Sequence, residues 1–246
     1  MSKEVCKIFQ EVDEVFKDGR PDLNKIFEFD EYLIYCPMDS TGVKRCQHDV
    51  AGIDALCSYL FKKLHELPLE KQEYENNDNQ YIEYMLIWLS YRLLQTPSYS
   101  SSTLVDYYNN YIVKSHLPFK IDYLVDKKKH LVYANFELIN KLYKLLNYLC
   151  NIITEPNIYT ESDKIKSNIR NFQAEFTSLY DEVKECYPYF KLLKNFKKIY
   201  DDYRNNIIYT IGSNSFITVL EMIINFSTLP LIELKIPNWS DNFVDE

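Results

Sequence analysis

The sequence predicts an all-α, disulfide-stapled bundle of about seven to nine helices. At its centre stands a long antiparallel hairpin, roughly 131–153 against 163–186. Three observations predict this. Apolar residues recur at helical spacing along most of the chain. Ile165, Ile169, Phe172, Phe176, Leu179, Val183 and Cys186 follow in alternating steps of four and three, the seam of long, nearly antiparallel packing. Only 4 glycines interrupt 246 residues, too few for Gly-rich barrels, propellers or collagen-like repeats.

The elements follow in order. Val5, Ile8, Phe9, Val12, Val15 and Phe16 form one stripe, and Asp18-Gly19 is expected to end that helix in the left-handed conformation. Pro21 suits the first turn of a second element carrying Leu23, Ile26, Phe27, Phe29, Leu33 and Ile34, closed by Cys36-Pro37. A third helix covers about 47–66, with Val50, Ile53, Leu56, Cys57, Leu60, Phe61 and Leu64 on one face. Lys71–Gln80 reads as a polar, Asn-rich loop. Tyr81–Leu94 is apolar on more than one face and belongs in the middle of the bundle. A Ser/Pro linker (Thr96–Ser102), a helix over Thr103–Ser115 and a short solvated basic run (Lys127–His130) come next. Leu131–Ile153 reads as one long helix, ended by Glu155-Pro156. Thr160-Glu161-Ser162-Asp163 resembles a capping box that opens the seam helix. Pro188 breaks that helix, and Tyr189–Arg204 resumes it. The domain division expected is 1–206, helical, and 207–246, a further helix over Phe216–Phe226 with an irregular tail.

The chemistry is mostly defined by exclusion. With 36 acidic against 28 basic residues and a net charge of −8, the surface repels phosphate backbones, so no nucleic-acid partner is expected. Gly19, Gly42, Gly52 and Gly212 are isolated and build no phosphate loop. His48, His65, His116 and His130 fall in no metal-binding spacing and read as surface or capping residues. Asp30-Glu31 and Asp201-Asp202 are neighbours that point in different directions on a helix, which does not suit paired acid–base work. Gly212-Ser213-Asn214-Ser215 misses the nucleophile elbow. Catalytic, metal and cofactor sites are therefore expected to be absent. No apolar run approaches the roughly 18–20 residues of a membrane-crossing helix, and the N-terminus has no apolar signal region. On those rules alone the chain would be cytosolic.

Six cysteines, Cys6, Cys36, Cys46, Cys57, Cys150 and Cys186, oppose that assignment. They are either free thiols of a reduced cytosol or disulfides of an exported protein. If the first two elements form an antiparallel hairpin, Cys6–Cys36 is geometrically available, and Cys36–Cys46 is a competing closure. Cys46 and Cys57, about 16 Å apart by helix rise, cannot pair on one continuous helix. Cys150 and Cys186, some 35 Å apart in the hairpin, are each expected to tie to the N-terminal third.

A set of ordered strings then resembles a known family. These are Cys6 ahead of Val12-Asp13-Glu14-Val15-Phe16, Tyr35-Cys36-Pro37, Cys46, and Ala55-Leu56-Cys57-Ser58-Tyr59-Leu60-Phe61. Tyr84-Met85-Leu86-Ile87-Trp88-Leu89-Ser90, Leu145–Ile153 and Cys186-Tyr187-Pro188-Tyr189 continue the series. In this order they resemble the PIR superfamily, the Plasmodium interspersed repeat proteins, of rodent-parasite type, over roughly residues 4–205. The surplus of Tyr and Phe (22 and 14), with scarce Ala, agrees with an AT-rich parasite genome. The resemblance implies a variant antigen exported to the infected red blood cell or displayed on it, binding host protein or serving immune evasion, with a disulfide-bonded helical ectodomain and no catalytic role. The partner it implies is a host protein receptor or antibody, and membrane attachment would come through a transmembrane segment this chain lacks. On that pattern the chain is an excised ectodomain or a truncated member. An intracellular helical scaffold with reduced cysteines is the competing class.

Overall fold

The computed structural model describes residues 1–67, 78–96, 128–155 and 162–211. Among these the chain is helical apart from one two-residue hairpin. Helix α1 (Lys3–Asp13) starts where the Ser2 side chain accepts the Val5 N–H at 3.3 Å. Its inner face is Val5, Cys6, Phe9 and Val12. The helix ends at Asp13, five residues before the expected stop. Asp18 (φ 50°) and Gly19 (φ 78°) instead form the turn between strands β1 (Phe16–Lys17) and β2 (Arg20–Pro21). Two successive positive-φ residues are what a two-residue hairpin turn of this hand requires, and Asp-Gly meets that need.

The second element also differs from expectation. Pro21 lies in β2, and Asp22 caps α2 (Leu23–Glu28), accepting from the Asn24 and Lys25 N–H groups at 3.0 and 3.2 Å. Phe29 is extended and separates α2 from α3 (Asp30–Leu33). That break lets Ile26 and Tyr32 both reach the core, while Phe27 and Phe29 point outward. Helix α4 (Asp49–His65) is capped by His48, whose Nδ1 accepts the Ala51 N–H at 3.2 Å. Gly52 lies so close to Pro21, Leu23 and Ile26 that a Cβ would meet Leu23 Cδ2 at 2.8 Å. The glycine is what lets α4 pack against the hairpin and α2.

Helix α5 (Asp78–Gln95) is buried on every side over residues 81–90, as the all-round apolar pattern requires. It takes in residues 78–80 of the expected loop. It packs among α4, α6 (Lys129–Val132) and α7 (Phe136–Thr154). The single helix expected over 131–153 is thus two. Asn135 breaks it, capping α7 by accepting the Leu138 N–H at 2.9 Å. Helix α8 (Ser162–Val183) packs along α7 as the central hairpin. The seam residues Ile165 to Val183 are buried as expected, but Cys186 lies beyond the helix end and is exposed. Helix α9 (Tyr187–Ile211) has Pro188 in its first turn, where a missing N–H costs nothing, and it runs past the expected end at Arg204 and across residue 206.

Large aromatics fill the space that alanine would leave in a closer-packed bundle. Tyr84 of α5 stacks on Phe196 of α9 at 5.7 Å, and Phe172 of α8 on Tyr200 at 5.5 Å. No described helix is long and apolar enough to cross a membrane. The expected linker beyond Thr96, the helix over 103–115, the helix over 216–226 and the tail lie outside the described residues.

Candidate interaction surface

Four of the six cysteines pair. Cys6 of α1 bonds Cys150 of α7 across a sequence separation of 144, with Cα atoms 4.9 Å apart. Cys36 bonds Cys46, ten residues on, at 5.0 Å. Cys150 thus ties to the N-terminal third as expected, while the Cys6–Cys36 alternative is not formed. Cys57 and Cys186 are free thiols. Cys57 cannot pair because it lies inside α4 against the core, where burial holds its thiol well above the usual range. Cys186 is exposed between α8 and α9 and, against expectation, does not tie to the N-terminal third.

Beside the long-range disulfide a polar network fixes α1 against α5 and α7. Asp13 Oδ1 accepts from Trp88 Nε1 at 2.6 Å and from Arg92 Nη2 at 2.5 Å. The Tyr143 hydroxyl donates to Asp13 Oδ2 and accepts from Arg92 Nη2 at 3.0 Å. Burial, then the Asp13 charge, raises the Tyr143 hydroxyl far above its ordinary range, so it stays a donor. The guanidinium also lies 4.1 Å from the centre of the Phe16 ring. Lys128 and Glu83, both largely buried, pair at 2.5 Å between α6 and α5. These groups are engaged with each other inside the bundle, and their role is to hold it.

The cap formed by residues 22–47 is different. Its Cys36–Cys46 loop is rigid by construction. Asp39 Oδ1 accepts from Thr41 N at 2.8 Å, Thr41 Oγ1 at 2.6 Å and Val43 N at 3.0 Å. These bonds hold the Asp39 carboxyl below the usual carboxylate range. Gly42 turns the chain at φ 81°, and Met38 bridges Lys44. Lys44 Nζ then donates to Ile34 O at 2.5 Å, fastening the loop to α3. Underneath, Tyr59 of α4 donates to Glu11 of α1 at 2.6 Å and meets the Tyr32 ring at 4.7 Å. Burial and Glu11 push the Tyr32 hydroxyl up to about 12.

On this braced frame stand five exposed large hydrophobics: Phe27, Phe29, Ile34, Met38 and Val43. The two phenylalanines are at least half exposed and Met38 is 69% exposed, although the same residue types elsewhere form the core. Single exposed apolar residues are ordinary; here five fall within residues 27–43. A smaller exposed group, Tyr133, Phe136 and Tyr187, lies where α6, α7 and α9 begin or end.

The predicted histidine roles can now be placed. His48 is the α4 cap, and His65 ends α4 with its ring 6.1 Å from Phe61. His130 packs edge-on against Tyr189, whose hydroxyl donates to the His130 carbonyl. His116 lies outside the described residues. No cluster of three metal-ligating side chains occurs among the described residues. Sequence reasoning missed the cap as a surface. Its one legible signal was Phe27 and Phe29 two apart, a spacing that one helical face cannot bury.

The described residues thus form a disulfide-stapled helical domain with an exposed apolar group on its N-terminal cap. The family of Plasmodium variant antigen proteins Cir/Yir/Bir matches residues 6–235, and the chain belongs to that family. The chain is also similar in fold to a solved Plasmodium PIR protein ectodomain, with a TM-score of 0.64 and 23% identity, over 87% of this chain and 94% of that one. No curated protein matches it.

Proposed function

We propose that this variant antigen is exported to the infected red blood cell, where it acts without catalysis and binds a host protein through its N-terminal cap. The observation that carries this reading is the exposed group Phe27, Phe29 and Ile34 on α2 and α3 with Met38 and Val43 on the Cys36–Cys46 loop. Burying five such side chains against a partner is worth far more than leaving them wet, and a preformed loop loses little freedom on binding. Two disulfides also suit an oxidising location beyond the parasite cytosol.

Two experiments test the two halves. Antibody to the folded domain should label infected cells, and labelling confined to the parasite interior would contradict export. The folded chain, screened against host receptor ectodomains, should bind at least one. That binding should fall in the double substitution Phe27→Ser, Phe29→Ser. Binding indifferent to the cap would contradict the surface assignment.

A further inference from the structure

The cap carries more than apolar area: its charges are sorted. Glu28 and Asp30 are exposed and flank Phe29, and their carboxylates make no hydrogen bond or ion pair with any described residue. Neighbouring acids are occupied. Asp22 caps α2, Asp39 caps its loop, and Glu31 lies 3.9 Å from Lys63 Nζ and 3.3 Å from the Tyr59 hydroxyl. Nearby cations are turned onto backbone carbonyls, Lys25 onto Glu14 at 3.0 Å and Lys44 onto Ile34. Arg45 is exposed but sits in the field of Asp39. The α2–α3 junction is therefore left with two unanswered negative charges interleaved with two outward phenyl rings.

Resting on the reading of the cap as the binding surface, we propose that this junction docks a cationic, apolar-faced segment of a partner protein. Phe27 and Phe29 enter its apolar face, and Glu28 and Asp30 meet its lysine or arginine side chains. Charge separates this occupant from the others. A second copy of the chain docked through the same junction would set Glu28 and Asp30 against like charge, which costs affinity. An anionic lipid surface would be repelled by the same carboxylates and by the net charge of −8. A cationic amphipathic segment satisfies both halves of the patch, and rim charges of this kind chiefly set specificity and association rate.

The test uses the full chain with four probes: an amphipathic Leu/Lys peptide, its Leu/Glu counterpart, vesicles of phosphatidylcholine with phosphatidylserine, and the chain alone in sedimentation. The Leu/Lys peptide should bind, more weakly at high salt. Its affinity should fall roughly tenfold or more both in Phe27→Ser, Phe29→Ser and in Glu28→Lys, Asp30→Lys, and hold in the remote control Glu185→Lys. The charge-reversed pair lies wholly on the surface, so it keeps the test decisive should the serine pair fold poorly. Equal binding of the Leu/Glu peptide, still lost with the serine pair, would overturn the cationic partner while leaving the cap as a surface. Peptide binding indifferent to both pairs would overturn the cap as well. Cap-dependent binding to vesicles, or cap-dependent self-association, would overturn the proposal in favour of a membrane or a second copy.

Discussion

The two disulfides serve two regions under different physical demands. Cys6–Cys150 closes a separation of 144 residues and lies in the bundle, beside α1–α7 contacts such as Gln10 Nε2 on Asn151 Oδ1 and Thr154 Oγ1, each at 3.0 Å. Cys36–Cys46 closes a separation of 10; both cysteines are buried, but the loop between them carries the exposed Met38 and Val43. The first adds stability to a region already held by packing and by the Asp13 network. The second fixes the shape of a short loop whose Met38 and Val43 face water. A covalent tie can thus serve cohesion or the shape of a loop, and the exposure of the segment it closes tells which.

The largest effect should come from breaking the bundle. Loop-closure entropy assigns a bond of this span about 5 kcal/mol. Cys6→Ser with Cys150→Ser should lower unfolding stability in urea by about that amount, with little loss of cap-dependent binding by whatever fraction stays folded. Asp13→Ala should come next, at about 3–5 kcal/mol. It strands the Arg92 guanidinium, 9% exposed, and leaves the Trp88 and Tyr143 donors without their acceptor. Thermal melts of this variant beside Asp13→Asn would sharpen the point, since the amide keeps an acceptor and should recover part of the loss.

Cys36→Ser with Cys46→Ser should cost about 3 kcal/mol at most, the closure term for so short a loop. Binding through the cap should fall more than that stability change accounts for. A binding loss matched by the fraction unfolded would erase the contrast between the regions. The smallest effect concerns pH. Burial, with Lys128 nearby, lowers the His130 pKa to about 4, so the folded protein favours the neutral ring. The depressed value means stability is complete above the unfolded value near 6.5 and declines as pH falls toward 4. Partial solvent access limits the loss to about 2 kcal/mol. His130→Gln should flatten that part of the pH–stability curve, measured by denaturant midpoints between pH 7 and 4.

How much of this was legible in the sequence follows from the same contrast. The bundle was legible because its signals are periodic. The 4-3 seam of α8, the all-round apolarity of α5 and the stripe of α1 each translate directly into a buried face. The cap was not, because its shape depends on local chemistry that periodicity ignores. Asp18-Gly19 reads equally as a helix stop or a hairpin turn, and the turn prevailed because Phe16 and Lys17 pair with Arg20 and Pro21. Phe29 looks like one more apolar helix residue until Ile26 and Tyr32 compete for the core. Asn135 passes for an ordinary interior residue until its side chain caps α7. Cysteine pairing was legible only as alternatives, since separation in sequence rules out few contacts between packed helices.

The most direct measurement is disulfide mapping of the native chain, alkylated without reduction under denaturing conditions and then digested. Linked peptides joining Cys6 to Cys150 and Cys36 to Cys46, with alkylated Cys57 and Cys186, are the predicted result. A Cys6–Cys36 link, or six alkylated thiols, would contradict the division between a stapled bundle and a braced cap, and six thiols would remove the support for export as well.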